Sequence, residues 1–284
     1  MIKYNQVKEI PKEYLITKLN EYLEEDSPNG DITTEGTVSP DSKIVAQLIA
    51  KDDLVLSGRN VVEAMFGSDT NITFNFSDGE KVANRDIIAT IEGNAIDILR
   101  KERIFLNLMQ RMCGIATTTR TYVDIAQPYN VIVLDTRKTT PGLRMFEKYS
   151  VCMGGGQNHR YNLSTGILIK DNHIVAAGGV REAVLGCKKL DSTLPIQIEV
   201  ANKEQIPNAI ESGADGLLLD NMSPDYLIEC VIFAREFRND IFLEASGGIT
   251  LQNLAGYVTT GIDAVSVGAL THSVKSSDIS LKFI

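Results

Sequence analysis

The chain has 284 residues, 43% of them hydrophobic, which is enough for one barrel-sized domain and a smaller one. Its formal net charge of -9 at pH 7 argues against nucleic acid as a partner, because a phosphate backbone is bound by a basic face. A small anionic ligand remains compatible, since a cationic pocket can lie inside an acidic protein.

The N-terminal part of the chain predicts a small module of helices and strands. Residues 11–25 carry apolar side chains at helical spacing, and residues 59–66 predict a second, short helix. Strand-like segments run over residues 44–56, 72–76 and 87–91. The N-terminus lacks the apolar core of a secretory signal, and no later stretch reaches the roughly 18 apolar residues of a membrane span. We therefore expect a cytoplasmic protein without membrane segments.

Two helices are predicted next, over residues 95–112 and 117–126, and we place the domain boundary between residues 115 and 116. After residue 128, short buried strands alternate with helices, as in repeated βα units. The predicted strands are 131–134, 167–169, 196–200, 216–219, 241–245 and 264–267. The predicted helices between them include 179–189, 203–212, 224–237 and 251–259.

Candidate site residues occur at the end of every one of these strands. They are Arg137, Lys170, Glu199, Asp220, Glu244 and Gly268. A (β/α) barrel assembles its active site from the carboxyl ends of many strands, whereas an open doubly wound sheet uses mainly one switch point. The sequence therefore favours a barrel over an open sheet, and an incomplete one because eight strands cannot be identified.

The stretch from Asp135 to His173 gathers six Lys or Arg side chains and two histidines in and around glycine-rich turns. A solvated loop is the alternative interpretation, since Thr, Lys, Pro and Gly are ordinary loop residues. The cations considered as anion ligands are Arg103, Arg137, Lys138, His159, Arg160 and Lys170. They exceed what one monophosphate requires, whereas a dicarboxylate together with a diphosphate would need them. For Arg103 the alternative is an exposed arginine paired along its own helix.

Glycines follow the last two predicted strands, in loops from which barrels commonly build a phosphate site. Glycine lets backbone N–H groups approach an anion, and a helix N-terminus adds a favourable dipole. The residues assigned to this predicted site are Ser246, Gly247, Gly248, Gly268 and Ala269. The alternative is that the glycines only end the strands. His272 is as compatible with a helix cap as with a phosphate ligand.

Glu199 and Asp220 end neighbouring predicted strands and can bind Mg²⁺, which prefers carboxylates together with substrate phosphates and water. They can equally serve as counter-ions to Arg137, Lys138 or Lys170, and the two interpretations are compatible. No ligand set suggests a tightly held transition metal. The four cysteines form no CxxC pair, and we expect them to be reduced core residues.

The same residues carry a family resemblance. The segments DTRKTTPGLR, EKY, GGG, NHR, LIKDNH, LLLDNM, LEASGGIT and VSVGALTHS, together with GDITT at 30–34, follow one another in family order over nearly the whole chain. This pattern resembles the quinolinate phosphoribosyltransferases, the decarboxylating nicotinate-nucleotide pyrophosphorylases. Cys113 and Thr165 depart from it, since we expect Ser and Asp there.

The resemblance implies a fold: an α/β barrel of fewer than eight strands, residues 116–272, beside a smaller N-terminal α/β sandwich, residues 1–115, to which about residues 273–284 return. It implies that Arg137, His159 and Arg160 hold a pyridine dicarboxylate, and that Lys138 and Lys170 lie close to the reacting centre. It also implies that Arg103 comes from a partner subunit, so that the protein is at least a homodimer with shared active sites.

The activity implied is transfer of phosphoribose from phosphoribosyl pyrophosphate to quinolinate with loss of CO2, in the presence of Mg²⁺. Lys138, Lys170, Glu199 and Asp220 are the residues expected to carry it. One alternative is a related phosphoribosyl transfer to another acceptor, as in relatives associated with molybdate transport. The other is a non-catalytic anion-binding module. Carboxylates beside the phosphate loops argue against it, because they would weaken simple anion binding.

Overall fold

The structure is a computed structural model and describes residues 2–190 and 193–284. Its helices are α1 (Lys12–Asp26), α2 (Ile32–Thr37), α3 (Arg59–Met65), α4 (Ala95–Ala126), α5 (Arg144–Met153), α6 (Asp171–Ala177), α7 (Val180–Lys188), α8 (Gln205–Glu211), α9 (Pro224–Phe237), α10 (Leu254–Val258) and α11 (Ala269–His272). Its strands are β1 (Lys43–Ala50), β2 (Leu54–Val55), β3 (Asn71–Phe74), β4 (Lys81–Val82), β5 (Ile87–Asn94), β6 (Ile132–Leu134), β7 (Ile167–Ile169), β8 (Ile196–Val200), β9 (Gly216–Asp220), β10 (Phe242–Ser246), β11 (Ala264–Ser266) and β12 (Ile279–Phe283).

One compact unit comprises Val7–Arg120, Thr140–Gly155 and Ser273–Ile284. Its four-stranded antiparallel sheet has the order β12-β1-β5-β3, so the end of the chain pairs with β1. Helix α1 packs against α3, and the buried apolar side chains of this unit form one continuous core. Residues 140–155 belong to this unit, although the sequence-based division assigns them to the barrel.

Helix α4 is continuous from Ala95 to Ala126, so the predicted break between residues 112 and 117 is wrong. Gly114 lies within this stretch. A Cβ atom at this position would lie 2.3 Å from the carbonyl oxygen of Lys275. Glycine is therefore required here because another backbone segment crosses the helix closely, and the helix continues past it.

The other compact unit comprises the N-terminal residues up to Gln6, Thr121–Thr139 and Gly156–His272. Its six strands form a parallel sheet in the order β6-β11-β10-β9-β8-β7. Strands β7 to β11 neighbour one another in chain order and β6 lies beside β11, as in a (β/α) barrel. Among the described residues no ladder joins β6 to β7, so the predicted incomplete barrel is confirmed. All six predicted strands are present to within two residues. Helix α10 is shorter than the predicted 251–259 because residues 251–253 form a turn.

The N-terminal segment packs inside this second unit, which the sequence did not predict. Ile2 joins a buried cluster with Leu134, Phe242 and Ala264. A Cβ atom at Gly216 would lie 2.7 Å from Cδ1 of Ile2, so the glycine at the start of β9 leaves room for this side chain. The side chain of Ile2 is thus buried, those of Tyr4 and Gln6 are half-buried, and those of Lys3 and Asn5 are exposed.

Candidate active site

The register of the parallel sheet brings the strand-end residues to one face. Glu199 of β8 pairs with Leu218 of β9, which pairs with Glu244 of β10. Asp220 pairs with Ser246 two residues further along. Because side chains of paired residues share a face and alternate along each strand, these side chains point the same way. All of them line one cavity of about 730 Å³.

Most of the predicted site residues line this cavity. They are Arg137, Lys138, His159, Arg160, Lys170, Glu199, Asp220, Ser246, Gly247, Gly248, Gly268, Ala269 and His272. Glu244, named from the sequence as a strand-end candidate without a specific role, also lines the cavity. Further polar lining residues were not named from the sequence: Thr136, Asp171, Asn221, Thr250 and Ser266. Their signal was their place at or shortly after a strand end.

The cations in the cavity are incompletely neutralised. The Nε atom of Arg137 is buried and has no hydrogen-bond partner among the described residues. The guanidinium of Arg160 donates to the carbonyl oxygen of Gly166 at 3.0 Å. Burial, followed by the nearby positive charge of Arg137, lowers the pKa of Arg160. A buried guanidinium beside a second, partly buried one favours an anionic ligand.

The two predicted carboxylate ligands influence each other. Burial and then the charge of Asp220 raise the pKa of Glu199, and Lys170 offsets part of this effect. The Lys170 ammonium lies 3.6 Å from Glu199 Oε2. A cation placed between these oxygens would relieve the repulsion, and oxygen donors suit Mg²⁺. Within the described chain no group of three His, Cys, Asp or Glu side chains converges as a metal cluster, so the pair would act together with substrate oxygens.

The glycine loops border the cavity in different ways. Gly247 has a φ of +89°, and a Cβ atom there would lie 2.2 Å from Oδ1 of Asn221, so this turn requires glycine. A Cβ at Gly268 would lie 3.0 Å from both Lys138 Cδ and His272 Cδ2. Helix α11 has only four residues and α10 begins at Leu254. The predicted phosphate site therefore depends on backbone N–H groups and side chains, with little contribution from a helix dipole.

Arg103 does not belong to the described lining of this cavity. It lies on α4 in the other unit, where its side chain is 66% exposed and its guanidinium is 3.6 Å from the Glu102 carboxylate. It borders a separate depression with Asp31 and Arg100. Its assignment to a shared active site stays a prediction.

Hydrogen bonds link Tyr4 through Gln197 to Glu244 of the cavity wall, and the sequence did not indicate Tyr4 or Gln197. The ring of Tyr4 stacks on His159, with centroids 4.5 Å apart, and its hydroxyl donates to Gln197 Oε1 at 3.0 Å. Gln197 Nε2 donates to Glu244 Oε2 at 2.8 Å. Gln197 and Glu244 are fully buried. The alternation of Ile2, Tyr4 and Gln6 was the available signal, because it is typical of a strand-like segment with one buried face.

The two departures from the family pattern have structural roles. Cys113 is buried, and its thiol accepts from the backbone N–H of Ser57 at 3.4 Å. Burial raises the pKa of this thiol to about 12, which makes it unreactive. Thr165 Oγ1 accepts from the backbone N–H groups of Tyr161 and Asn162 at 3.0 and 3.1 Å. It therefore closes a turn, and all four cysteines are free thiols.

Comparison with known proteins gives consistent matches over both units. Residues 31–113 match the model of the quinolinate phosphoribosyl transferase N-terminal domain, and residues 115–282 match that of the C-terminal domain. The probable nicotinate-nucleotide pyrophosphorylase [carboxylating] of Bacillus subtilis is 41% identical over 270 residues, which cover 93% of this chain and 91% of that protein. The mitochondrial quinolinate phosphoribosyltransferase [decarboxylating] 2 of Nicotiana glauca is 38% identical. The match covers 92% of this chain and 79% of that protein.

Solved structures agree with these matches. The nicotinate-nucleotide pyrophosphorylase from Francisella tularensis superimposes with a TM-score of 0.94 at 36% identity, covering 99% of this chain and all of that one. The corresponding protein from Ehrlichia chaffeensis gives a TM-score of 0.91 at 34% identity, over 97% of this chain and 100% of that one. Among the described helices, none is both long enough and apolar enough to cross a bilayer.

Proposed function

Because the chain belongs to the quinolinate phosphoribosyl transferase family, we infer that it is a decarboxylating quinolinate phosphoribosyltransferase of NAD biosynthesis. It converts quinolinate and phosphoribosyl pyrophosphate into nicotinate mononucleotide, pyrophosphate and CO2. The observation that carries this inference is one cavity in which the cations Arg137 and Arg160 face the same space as the carboxylates Glu199 and Asp220. Such a site suits two polyanionic substrates, one of which arrives with a metal ion.

The quinolinate carboxylates are assigned to the cationic side of the cavity. Arg137 Nε lacks a hydrogen-bond partner in the described chain, and Arg160 lies close enough to have its pKa lowered by Arg137. A bound dicarboxylate would supply the missing acceptor and neutralise both guanidinium groups. His159 forms part of the same wall. Lys138 and Lys170 place further positive charge around the acceptor.

Glu199 and Asp220 are assigned to the phosphoribosyl pyrophosphate side as ligands of Mg²⁺. When bound, this ion would neutralise the diphosphate and so favour its departure. The loops at Gly247, Gly248 and Gly268 would receive the remaining phosphate, with His272 next to them. Lys170 lies next to the proposed metal ligands, since its ammonium is 3.6 Å from Glu199 Oε2.

The chain's own contribution to the reaction is electrostatic. Transfer breaks the bond between the ribose anomeric carbon and the pyrophosphate oxygen and forms a bond from the pyridine nitrogen to that carbon. The positive ring then takes up the electron pair of the carbon–carboxylate bond as CO2 leaves, and that ring carbon accepts a proton. The ammonium of Lys138 or Lys170, or a water molecule, can supply it. Fixed charges that hold both substrates in line are sufficient without a covalent nucleophile.

A homodimer, or a higher homo-oligomer built from it, with shared sites in the cytoplasm completes the proposal. Arg103 is two-thirds exposed, and its only close ionic neighbour among the described residues is Glu102, at 3.6 Å. A two-fold pairing would use such an arginine in both sites at once.

The direct test is an assay with purified protein, Mg²⁺, quinolinate and phosphoribosyl pyrophosphate. Nicotinate mononucleotide should accumulate and should be absent when either substrate is omitted. The variant Arg137→Ala with Arg160→Ala should lose product formation while staying folded. Absence of product from the folded wild-type protein would overturn the proposed function.

A further inference from the structure

The base of the cavity contains a buried carboxylate that the proposed reaction does not use. Glu244 is fully buried, and its Oε1 atom has no hydrogen-bond partner among the described residues. Among the described residues, the ionisable nitrogen next to it is His159 Nε2, 3.6 Å from Oε2. Burying a carboxylate without an ionic partner is costly, so its retention here calls for a role.

The hydrogen bonds around His159 define its protonation. The backbone N–H of Arg160 donates to His159 Nδ1 at 2.8 Å, so Nδ1 is an acceptor and carries no proton. The proton of the neutral ring therefore lies on Nε2. Nε2 is 3.2 Å from Gln197 Oε1, and this oxygen can accept it.

Glu244 determines which end of the Gln197 amide faces His159. The Gln197 amino group donates to Glu244 Oε2 at 2.8 Å, and this contact sets the direction of the amide. The amide oxygen then points to the other side, where it also accepts from the Tyr4 hydroxyl at 3.0 Å. If the amide were reversed, its N–H would face Nε2 and drive the ring proton to Nδ1. Two donors, Nδ1–H and the Arg160 N–H, would then face each other.

We propose that Gln197 and Glu244 are positioning residues that hold His159 as the neutral Nε2–H imidazole, and thereby hold the backbone of Arg160 in the quinolinate site. The ring of Tyr4 stacks on the imidazole of His159 at an angle of 30° and so holds the plane of the imidazole ring. The charged groups next to His159 in the described chain are Glu244, Asp135, whose Oδ1 accepts its backbone N–H, and Arg160. The kinetic consequence rests on the proposed function, whereas the protonation pattern does not.

Nitrogen NMR of the imidazole side chains tests the inference in the protein without ligands. The chain has three histidines, and the variant His159→Gln identifies the signals of His159. The wild type should show only the Nε2–H form. Glu244→Gln, in which residue 244 can donate or accept, should give a mixture of both tautomers. Exchanging the two groups, Gln197→Glu with Glu244→Gln, restores an acceptor-only group next to His159 and should restore the single form.

The kinetics should follow the tautomer. Glu244→Gln should raise KM for quinolinate roughly tenfold, the effect of one hydrogen bond at a buried group, with the KM for phosphoribosyl pyrophosphate changed less than about twofold. The exchanged pair should reverse most of this rise. Tyr257→Phe is the matched control, because it removes a buried hydrogen bond to the Met222 carbonyl, 3.1 Å long, outside the cavity.

An Nδ1–H form in the wild type, or a single unchanged tautomer in folded Glu244→Gln, would overturn the inference even if the enzyme is active. If Glu244→Gln does not fold, Glu244→Met removes the acceptor that orients the Gln197 amide and should give the same mixture, and an unchanged single tautomer there would overturn the inference equally. An inactive wild-type enzyme would instead overturn the proposed function. The NMR comparison would still decide whether Gln197 and Glu244 set the tautomer of His159.

Discussion

The ammonium of Lys170 lies 3.6 Å from Glu199 Oε2, where Lys170 follows β7 and Glu199 belongs to the neighbouring strand β8. Glu199 is therefore a counter-ion of Lys170, and the same carboxylate lines the cavity with Asp220. Under the proposed function, Glu199 would exchange this contact for the metal ion when the substrates bind.

Replacing both Glu199 and Asp220 by Ala separates these roles. If they hold the metal, the double variant should lose most Mg²⁺-dependent binding of phosphoribosyl pyrophosphate and keep quinolinate binding within a few-fold, since the guanidinium groups remain. Calorimetric titration with each ligand measures both affinities. Loss of quinolinate binding with unchanged phosphoribosyl pyrophosphate binding would show that the carboxylates serve only as counter-ions.

The titration of Glu199 should be visible in the stability of the protein. Burial, followed by the charge of Asp220, raises the pKa of Glu199 above its ordinary value of 4.5. A carboxyl whose pKa is higher in the folded state lowers stability once the pH exceeds both values, and has no such effect below the unfolded value. Glu199→Gln should therefore stabilise the protein at pH 8, and the gain should shrink as the pH falls toward 4.5.

Urea unfolding at several pH values measures this gain. Glu211→Gln, an exposed carboxyl at the end of α8, is the control and should change little at any pH. A Glu199→Gln variant less stable than the wild type at pH 8 would mean that the contact with Lys170 outweighs burial.

The turn that follows Lys138 should depend on a buried ion pair. Glu147 is fully buried and accepts from Arg111 Nε and Nη2 at 2.9 and 2.6 Å, and from the backbone N–H of Thr140 at 3.2 Å. Removing one partner of such a pair leaves an uncompensated charge. Glu147→Ala should therefore lower the free energy of unfolding by about 3 kcal/mol or more.

Chemical denaturation of this variant has a matched control. Glu63→Ala removes an exposed pair with Arg59, 3.2 Å apart, and should cost less than about 1 kcal/mol. Equal losses in the two variants would show that burial adds nothing to the Arg111–Glu147 pair.

The barrel was predictable because each βα unit carries its own signals. Continuous apolar runs mark buried strands, and chemically active residues follow them; Lys170 and Asp220 were found in this way. Parallel strands bring such ends together, so a local pattern was sufficient to predict a convergent site.

What the sequence did not predict depends on contacts between distant segments. Gly114 lies between the two helices predicted from the sequence, and only the fold shows that the backbone of Lys275 passes close to it. Tyr4 belongs to a polar, charged N-terminus, and only the fold places it on His159 and Gln197. Gln197 lies within a mostly apolar strand, and the local sequence does not show that its amide makes buried hydrogen bonds.

Sharing of active sites between subunits can be tested by complementation. Arg103→Ala and Lys138→Ala should each be nearly inactive, because one loses substrate positioning and the other loses charge at the reacting centre. If Arg103 acts in its partner's site, mixed dimers contain one site with both wild-type residues. Mixing the variants under subunit exchange should therefore restore activity. Activity that stays at the single-variant level after demonstrated exchange would require Arg103 to act within its own chain or only structurally.

The central claim is tested most directly by following the fate of the quinolinate carboxylate. With quinolinate labelled in the carboxylate next to the ring nitrogen, labelled CO2 should appear in a one-to-one ratio with nicotinate mononucleotide and pyrophosphate. Nicotinate should be turned over far more slowly, because its single carboxylate leaves buried positive charge uncompensated. Nucleotide formation without labelled CO2, or comparable turnover of nicotinate and quinolinate, would contradict the account.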